Sequence, residues 1–169
     1  MKKLLWSVGA LSLASGAAAK DLPSFDFKGI QATDTYAQHQ GAFRKCDKYF
    51  NFNGCKFDDQ EVAGVLSFPE AGWADDGSLQ LIRGNFSSYN YDKIEAGFKA
   101  KWGEPDIYAV DTIQNGFGAT LNIPYSVWKF AEGEMRLTGP DFRREGSFEF
   151  LSHARMAYLE GLERPKADF

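Results

Sequence analysis

The chain has few of the residues that carry most catalytic and metal chemistry. It contains two cysteines and two histidines in 169 residues. There is no C-x-x-C pair, and His39 and His153 lack the spacing of metal ligands to each other or to the cysteines. No Gly-x-Ser-x-Gly nucleophile motif occurs either. The sequence therefore predicts no metal site, no cofactor, no catalytic residue and no enzymatic activity.

An excess of positive charge is also missing. The 19 Lys and Arg residues are outnumbered by 23 Asp and Glu residues, and the basic residues are scattered along the chain. Nucleic acids and anionic lipid surfaces are bound by clusters of basic side chains. We therefore expect no nucleic-acid ligand, and the acidic balance favours a basic protein partner.

The chain has one long apolar run, which lies at its N-terminus. Lys2 and Lys3 precede the run 4–14, and small residues at Ala17-Ala18-Ala19 follow it. This three-part pattern predicts a signal peptide over residues 1–19. The run is shorter than the roughly 20 residues of a spanning helix, and no cysteine stands at the cleavage point for a lipid anchor. The expected product is a single mature domain, residues 20–169, without a membrane anchor, in the periplasm or outside the cell.

Cys46 and Cys55 lie nine positions apart in this chain. An oxidising compartment favours their pairing, and Asn53-Gly54 between them is a strong turn signal. A structural disulfide is the preferred interpretation, with a redox-active or metal-binding pair as the alternative. Closure of such a short loop stabilises a fold by about 2.5 kcal/mol on the chain-entropy model.

The clearest predicted helix begins at Tyr91. Tyr91, Ile94, Phe98 and Trp102 form one apolar stripe, Asn90 precedes it, and Gly103 follows it. A weaker helix is expected over 33–43. The tail 152–164 is interpreted as either a third helix or a continuation of the last strand.

Period-2 alternation and turn residues predict the strands. The expected strands cover 25–30, 61–68, 78–86, 107–113, 119–130, 135–137 and 147–151, and Trp73 lies in an Asp-rich turn between two of them. The order β-α-ββ-α-β-β-β indicates an α+β fold, with a largely antiparallel sheet and two or three helices packed on one face. This order also hints at an internal duplication, in which each half is a helix followed by strands.

Aromatic residues are abundant, with 15 Phe, 7 Tyr and 4 Trp. One core cannot bury all of them, and exposed aromatic side chains are enriched at recognition surfaces. The candidates for partner contact are Tyr49, Phe50 and Phe52 in the disulfide loop, and Trp73 in the Asp-rich turn. Alternation along a hairpin predicts that Tyr49 projects opposite to Phe50 and Phe52.

Several short motifs resemble those of a group of small exported proteins of Gram-negative bacteria. The motifs are Phe27-Lys28-Gly29, Cys46 with Cys55, Ala63-Gly64, Asp76-Gly77-Ser78-Leu79, Trp102-Gly103-Glu104-Pro105, Asn115-Gly116-Phe117-Gly118-Ala119 and Trp128. A more distant similarity is to small outer-membrane-assembly lipoproteins and β-lactamase-inhibitor-like domains. The resemblance implies a fold and a compartment, and no activity.

Two classes of function follow from these observations. The first is a protein-binding or inhibitor-type module that meets an envelope or extracellular protein, with an immunity protein against a periplasmic toxin as one form. The second is a small envelope hydrolase that uses Asp or Glu with His153, or a triad assembled from His153 with Ser147 or Ser152. Small size, the aromatic surplus and the acidic balance favour the first.

Overall fold

A computed structural model describes residues 21–49 and 52–163. The predicted signal peptide, residues 1–19, lies outside the described residues. The strands are β1 (Asp26–Phe27), β2 (Ile30–Gln31), β3 (Phe43–Lys48), β4 (Asn53–Phe57), β5 (Glu61–Val62), β6 (Val65–Leu66), β7 (Glu70–Trp73), β8 (Leu79–Ser87), β9 (Ile107–Gln114), β10 (Thr120–Lys129), β11 (Gly133–Thr138) and β12 (Glu145–Ser152). The α-helices are α1 (Tyr36–His39), α2 (Tyr91–Trp102) and α3 (His153–Glu163), and short 3-10 turns cover Gln40–Ala42 and Ser88–Asn90.

Eight of these strands form one antiparallel sheet in the order β3-β4-β7-β8-β12-β11-β10-β9. The sheet consists of two halves with the same pattern. In each half a helix is followed by four strands, which are β3, β4, β7 and β8 after α1, and β9 to β12 after α2. The last strands of the halves, β8 and β12, pair at the centre of the sheet. The predicted α+β class and the large antiparallel sheet are confirmed.

The expected strand over 61–68 is instead a short hairpin, in which β5 and β6 have two residues each. Ala63 and Gly64 connect its strands with φ angles of +52° and +68°, as a tight primed turn requires. The strand that enters the large sheet is β7, which includes the Trp73 expected in a turn. All four residues of β7 are buried, so this strand shows no alternation by which the sequence could reveal it.

Helix α2 is the helix that the apolar stripe predicts. Tyr91, Ile94 and Phe98 are buried, and Gly103 ends the helix with a φ of +83°. Phe98 packs edge-on against Trp128 and Phe148, with ring centres 5.7 Å and 5.6 Å apart. Helix α1 is shorter than expected and buries no residue, although its Tyr36 ring lies 6.0 Å from that of Trp73.

The core is largely aromatic. Phe25 stacks on Phe150 with ring centres 3.7 Å apart, and it meets Phe130 edge-on at 5.2 Å. Phe148, Phe150 and Trp128 project from the second half of the sheet into this cluster. The N-terminal segment around Phe25 is held there by the bond from its backbone N–H to a carboxylate oxygen of Glu132, at 3.0 Å.

The helices do not all pack on one face, which corrects that expectation. Phe98 of α2 packs against Phe148, on the core face of β12. Arg155 of α3 lies instead over the ring of Phe52, at 5.4 Å, and Phe52 lies on the opposite face beside Gly72. Because α3 follows β12 without a loop, it leaves from the end of the sheet and its Arg155 reaches this second face, which we call the outer face.

The sulfur atoms of Cys46 and Cys55 lie at disulfide distance, 2.11 Å apart. The two residues are direct cross-strand neighbours in the β3–β4 hairpin. Asn53-Gly54, expected as the turn of this loop, lies inside β4. A glycine is required at position 54 because a Cβ there would lie 2.4 Å from the Tyr49 ring.

Candidate functional site

The outer face of the sheet carries a row of charged side chains that alternate in sign. Lys56, Glu70, Arg83, Glu149 and Arg136 are successive cross-strand partners on β4, β7, β8, β12 and β11. Directly opposite residues in neighbouring strands share one face of a sheet, so the five side chains form a line across its centre. We call this row the charge ladder. Each interior member has an opposite charge on both sides.

Glu70 is the most buried member of the charge ladder, with 9% of its surface exposed. Its Oε2 accepts hydrogen bonds from both Nε and Nη2 of Arg83, at 3.1 Å and 3.0 Å. Its Oε1 is buried and has no hydrogen-bond partner among the described residues. A carboxylate in this position depends on the Arg83 guanidinium for its charge compensation.

Glu149 lies on the other side of Arg83. Removal of its carboxyl group from water raises the pKa of Glu149, while the Arg83 and Arg155 guanidiniums act in the opposite direction. Glu149 is nevertheless exposed at the surface, so its carboxyl group lines the open cavity described below and is not sealed inside the core. Its protonation is therefore easier than that of an ordinary surface glutamate.

Arg136 forms the end of the charge ladder in the second half. Its Nη2 lies 3.3 Å from the Asp111 carboxylate of β9, and its guanidinium lies 4.1 Å from the centre of the Tyr125 ring. The flat guanidinium gains from both contacts at once. These contacts hold Arg136 in place over the sheet.

A cavity of about 380 Å³ opens on the outer face beside the charge ladder. Its lining comprises Phe68, Glu70, Arg83, Gly84, Asn85, Ser147, Phe148 and Glu149. Most of the lining is polar, and of its two aromatic residues Phe148 is buried in the core while Phe68 is exposed. A concave surface with a few placed polar groups is a common form of binding site.

The exposed aromatic residue at this cavity is Phe68, whose backbone conformation is strained. Phe68 has a φ of +45° although it is not glycine, and 58% of its surface is exposed. Backbone hydrogen bonds within the same loop hold this conformation. The N–H groups of Ser67 and Phe68 both donate to the carbonyl of Gln60, at 2.9 Å and 3.2 Å. Such outliers persist only where the surroundings impose them, and they are concentrated at functional positions.

A second aromatic group borders the charge ladder on the disulfide side. Tyr49 and Phe52 stack with ring centres 4.9 Å apart, and Phe52 lies between the guanidiniums of Arg83 and Arg155 at 5.9 Å and 5.4 Å. The nearby Glu70 carboxylate raises the pKa of the Tyr49 phenol. This group joins the disulfide hairpin, α3 and the charge ladder.

The predicted partner-contact residues have different positions. Tyr49 is 38% exposed and faces the outer side, so it remains a candidate, whereas Phe52 is 7% exposed and Trp73 only 1%. The expected exposure of Phe52 and Trp73 is therefore wrong, because the Arg83 and Arg155 side chains cover Phe52, and α1 and β3 cover Trp73. Phe50 lies outside the described residues.

Tyr49 and Phe52 project from the same face, which corrects the expectation that they point in opposite directions. The Tyr49 N–H donates to the Phe52 carbonyl at 2.8 Å, so the two residues are opposite each other across the hairpin. Alternation applies along one strand, while cross-strand partners share a face.

The residues considered for hydrolysis are not brought together. The side chain of His153 is exposed at the start of α3, and within the described residues it makes no hydrogen bond to a serine or a carboxylate. The histidine that does pair with a carboxylate is His39, whose Nε2 lies 2.7 Å from Asp34 Oδ2. The Ser152 hydroxyl accepts from the backbone N–H of Arg155 at 3.1 Å.

Two features are absent from residues 21–49 and 52–163. In that part of the chain, no group of three or more His, Cys, Asp or Glu side chains is placed to hold a metal ion. None of its helices has the length and apolar character needed to cross a membrane.

Sequence reasoning missed the charge ladder and Phe68. The available signal was a charged residue among apolar ones in these strands, such as Arg83 between Ile82 and Gly84. The register that aligns these residues involves strands far apart in the chain.

Comparison of the sequence and the structure with protein-family models, curated proteins and solved structures finds no match.

Proposed function

We propose that this chain is an exported protein-binding module of the inhibitor type, which receives its partner on the outer face of the sheet. The observation that carries the proposal is Phe68, an exposed aromatic ring held in a strained backbone conformation beside a polar cavity. A rigid, exposed aromatic side chain is the usual anchor of a protein interface.

The charge ladder supports the same surface. Its buried carboxylate, Glu70, is already paired with Arg83 within the sheet, so a partner that covers this pair leaves the Glu70 charge compensated. The fixed alternation of sign favours a partner surface with the matching order of charges, which provides specificity. The overall acidic balance of the chain favours a basic partner, and this contributes to the rate of encounter.

A protein partner fits this surface better than a small molecule does. The cavity is open and its lining is largely polar, whereas small-molecule sites are predominantly apolar and enclose most of the ligand. Phe68 and Tyr49 lie on the outer face on different sides of the ladder's first half. An inhibitor or an immunity protein in the cell envelope is the form that we favour.

Capture of a partner from cell-envelope extract tests the proposal. Tagged wild-type protein is expected to retain one stoichiometric partner, and Phe68→Gly is expected to weaken its binding at least tenfold, the scale of an aromatic hot spot. Glycine accepts a positive φ, so this variant should fold at least as well as wild type. The loss of binding can thus be separated from a loss of folding.

Phe117→Ala is the matched control. Phe117 is another exposed phenylalanine, located at the tip of the β9–β10 hairpin, and its removal should leave capture unchanged. Retention of the partner by the Phe68 variant would overturn the proposed surface. A hydrolytic activity that His153→Ala abolishes would overturn the proposed function itself.

A further inference from the structure

The two edges of the large sheet differ in their protection against pairing with another strand. The edge strand β3 has four charged side chains among its six residues, and its register with β4 is interrupted between Phe43 and Lys45. The other edge strand, β9, carries a single charge, Asp111, and pairs with β10 over eight successive residues without a shift. Charges and bulges on an edge strand prevent edge-to-edge pairing, so β3 is protected and β9 is not.

β9 also has the composition of a strand that is paired on both sides. Its sequence is rich in β-branched and aromatic residues, yet Tyr108 is 60% and Val110 50% exposed. The Asp111 carboxylate already forms an ion pair with Arg136 of the same sheet. Between Asp111 and Lys129 the sequence contains no charged residue. Among the described residues, no strand pairs with the outer edge of β9.

We propose that a second copy of this chain pairs with this edge, β9 against β9 in antiparallel orientation, so that two sheets join into one. A two-fold axis through Val110 gives the best register. Residues that lie opposite each other in an antiparallel pair point to the same face of the sheet. A two-fold axis normal to the sheet must therefore place one residue opposite its own copy, and it cannot place two neighbouring residues of the sequence opposite each other. An axis at Asp111 would place two carboxylates opposite each other, whereas an axis at Val110 places Asp111 opposite Ala109 and Ile107 opposite Ile113.

A second copy fits better than an unrelated strand because the pairing then closes. Each copy uses its unprotected β9 edge, and both ends of the joined sheet are the charged β3 edges, which do not pair further. A closed two-fold dimer is the commonest symmetric assembly. The eight residues of β9 extend over about 27 Å, enough for a continuous ladder of backbone hydrogen bonds.

The mass of the purified protein in solution tests this inference. Light scattering after gel filtration should give the mass of two chains for wild type and of one chain for Val110→Lys. Tyr108→Glu, a second edge variant, should also give one chain. Leu66→Lys places a charge at a similarly exposed apolar position of β6, and it should remain dimeric. Circular dichroism confirms that each variant is folded.

Cross-linking tests the register. Val110→Cys should form a covalent dimer on mild oxidation, because residue 110 faces its own copy, whereas Tyr108→Cys should not, because it faces residue 112 of the other copy. A wild-type protein that is monomeric at high micromolar concentration would overturn the dimer. A dimer that persists in Val110→Lys, or one that Val110→Cys cannot link, would overturn the pairing through β9.

Discussion

The two halves of the sheet share one topology and are stabilised by different means. In the second half α2 has 12 residues and buries Tyr91, Ile94 and Phe98. In the first half α1 has four residues and buries none. The first half has instead a disulfide-distance pair across its outer hairpin, Cys46 with Cys55. The half whose helix buries nothing is thus the half that carries the cross-link, which constrains the pairing of its two outer strands.

The charges of the two halves are arranged in opposite order. In the first half, the third strand carries Glu70 and the fourth carries Arg83. In the second half, the third strand carries Arg136 and the fourth carries Glu149. Because β8 and β12 meet at the centre, this exchange of sign brings Arg83 opposite Glu149. Two halves with the same order would place like charges opposite each other at this position, which is destabilising.

The largest expected difference concerns the two helices. Phe98→Ala should lower the free energy of unfolding by about 3–5 kcal/mol, because it removes a buried ring from the centre of the core. Tyr36→Ala in α1 should cost about 1–2 kcal/mol, because that ring is only partly buried. Urea denaturation monitored by tryptophan fluorescence measures both. Equal losses would show that the halves depend on their helices to the same degree.

The cross-link is expected to have the next largest effect. Replacement of Cys46 and Cys55 together by Ala should lower the free energy of unfolding by about 2.5 kcal/mol, because the unfolded chain gains the entropy of an open loop. Alkylation without reductant, followed by intact-mass measurement, establishes that the wild-type pair is oxidised. A urea midpoint that reductant leaves unchanged would contradict the role assigned to the first hairpin.

The arginines of the charge ladder sharpen the comparison further. Arg83→Met should cost about 1–2 kcal/mol, because Glu70 is left as a buried carboxylate without its partner. Arg136→Met should cost at most about 0.5 kcal/mol, because its partner Asp111 is exposed to water. Thermal unfolding of the two variants under one buffer condition gives the difference. A larger loss for Arg136 would reverse the assignment of the buried ion pair to the first half.

The smallest effect is the pH dependence of Glu149. Burial raises the pKa of this carboxyl group in the folded chain above its unfolded value. The folded chain then holds the proton more tightly, so stability falls as pH rises from the unfolded pKa, about 4.3, through the folded pKa. Glu149→Gln should therefore be slightly more stable than wild type at neutral pH, and this advantage should disappear below about pH 4. An advantage that grows on acidification would contradict this sign.

Much of the second half could be predicted from the sequence. The stripe of Tyr91, Ile94 and Phe98 repeats with the period of a helix, and the strands near 107–113, 119–130 and 147–151 are long runs between turn residues. The helical pattern depends on residues three or four positions apart, and the strand pattern depends on residues two positions apart. The interpretation of 152–164 as a helix or a strand is settled in favour of α3.

The first half, β8 apart, was harder to predict because β4 and β7 are short and β3 carries charges. β3 includes Arg44, Lys45, Asp47 and Lys48, which is atypical of a strand, and the covalent closure and the contact with β4 hold it in the sheet. β7 follows Pro69 and contains Gly72, so its composition indicates a turn. Here the pairing with β4 and β8 outweighs the local preference.

The sequence by itself determined the class of fold, helix α2, the long strands of the second half and the pairing of Cys46 with Cys55. Each depends on a pattern within a short stretch of chain, where nearest neighbours dominate the free energy. Only the tertiary structure decided that Trp73 is buried, that Tyr49 and Phe52 share a face, and that Glu70, Arg83, Glu149 and Arg136 form one row. These outcomes depend on the register between strands that are distant in sequence, which is set by burying the whole aromatic core at once.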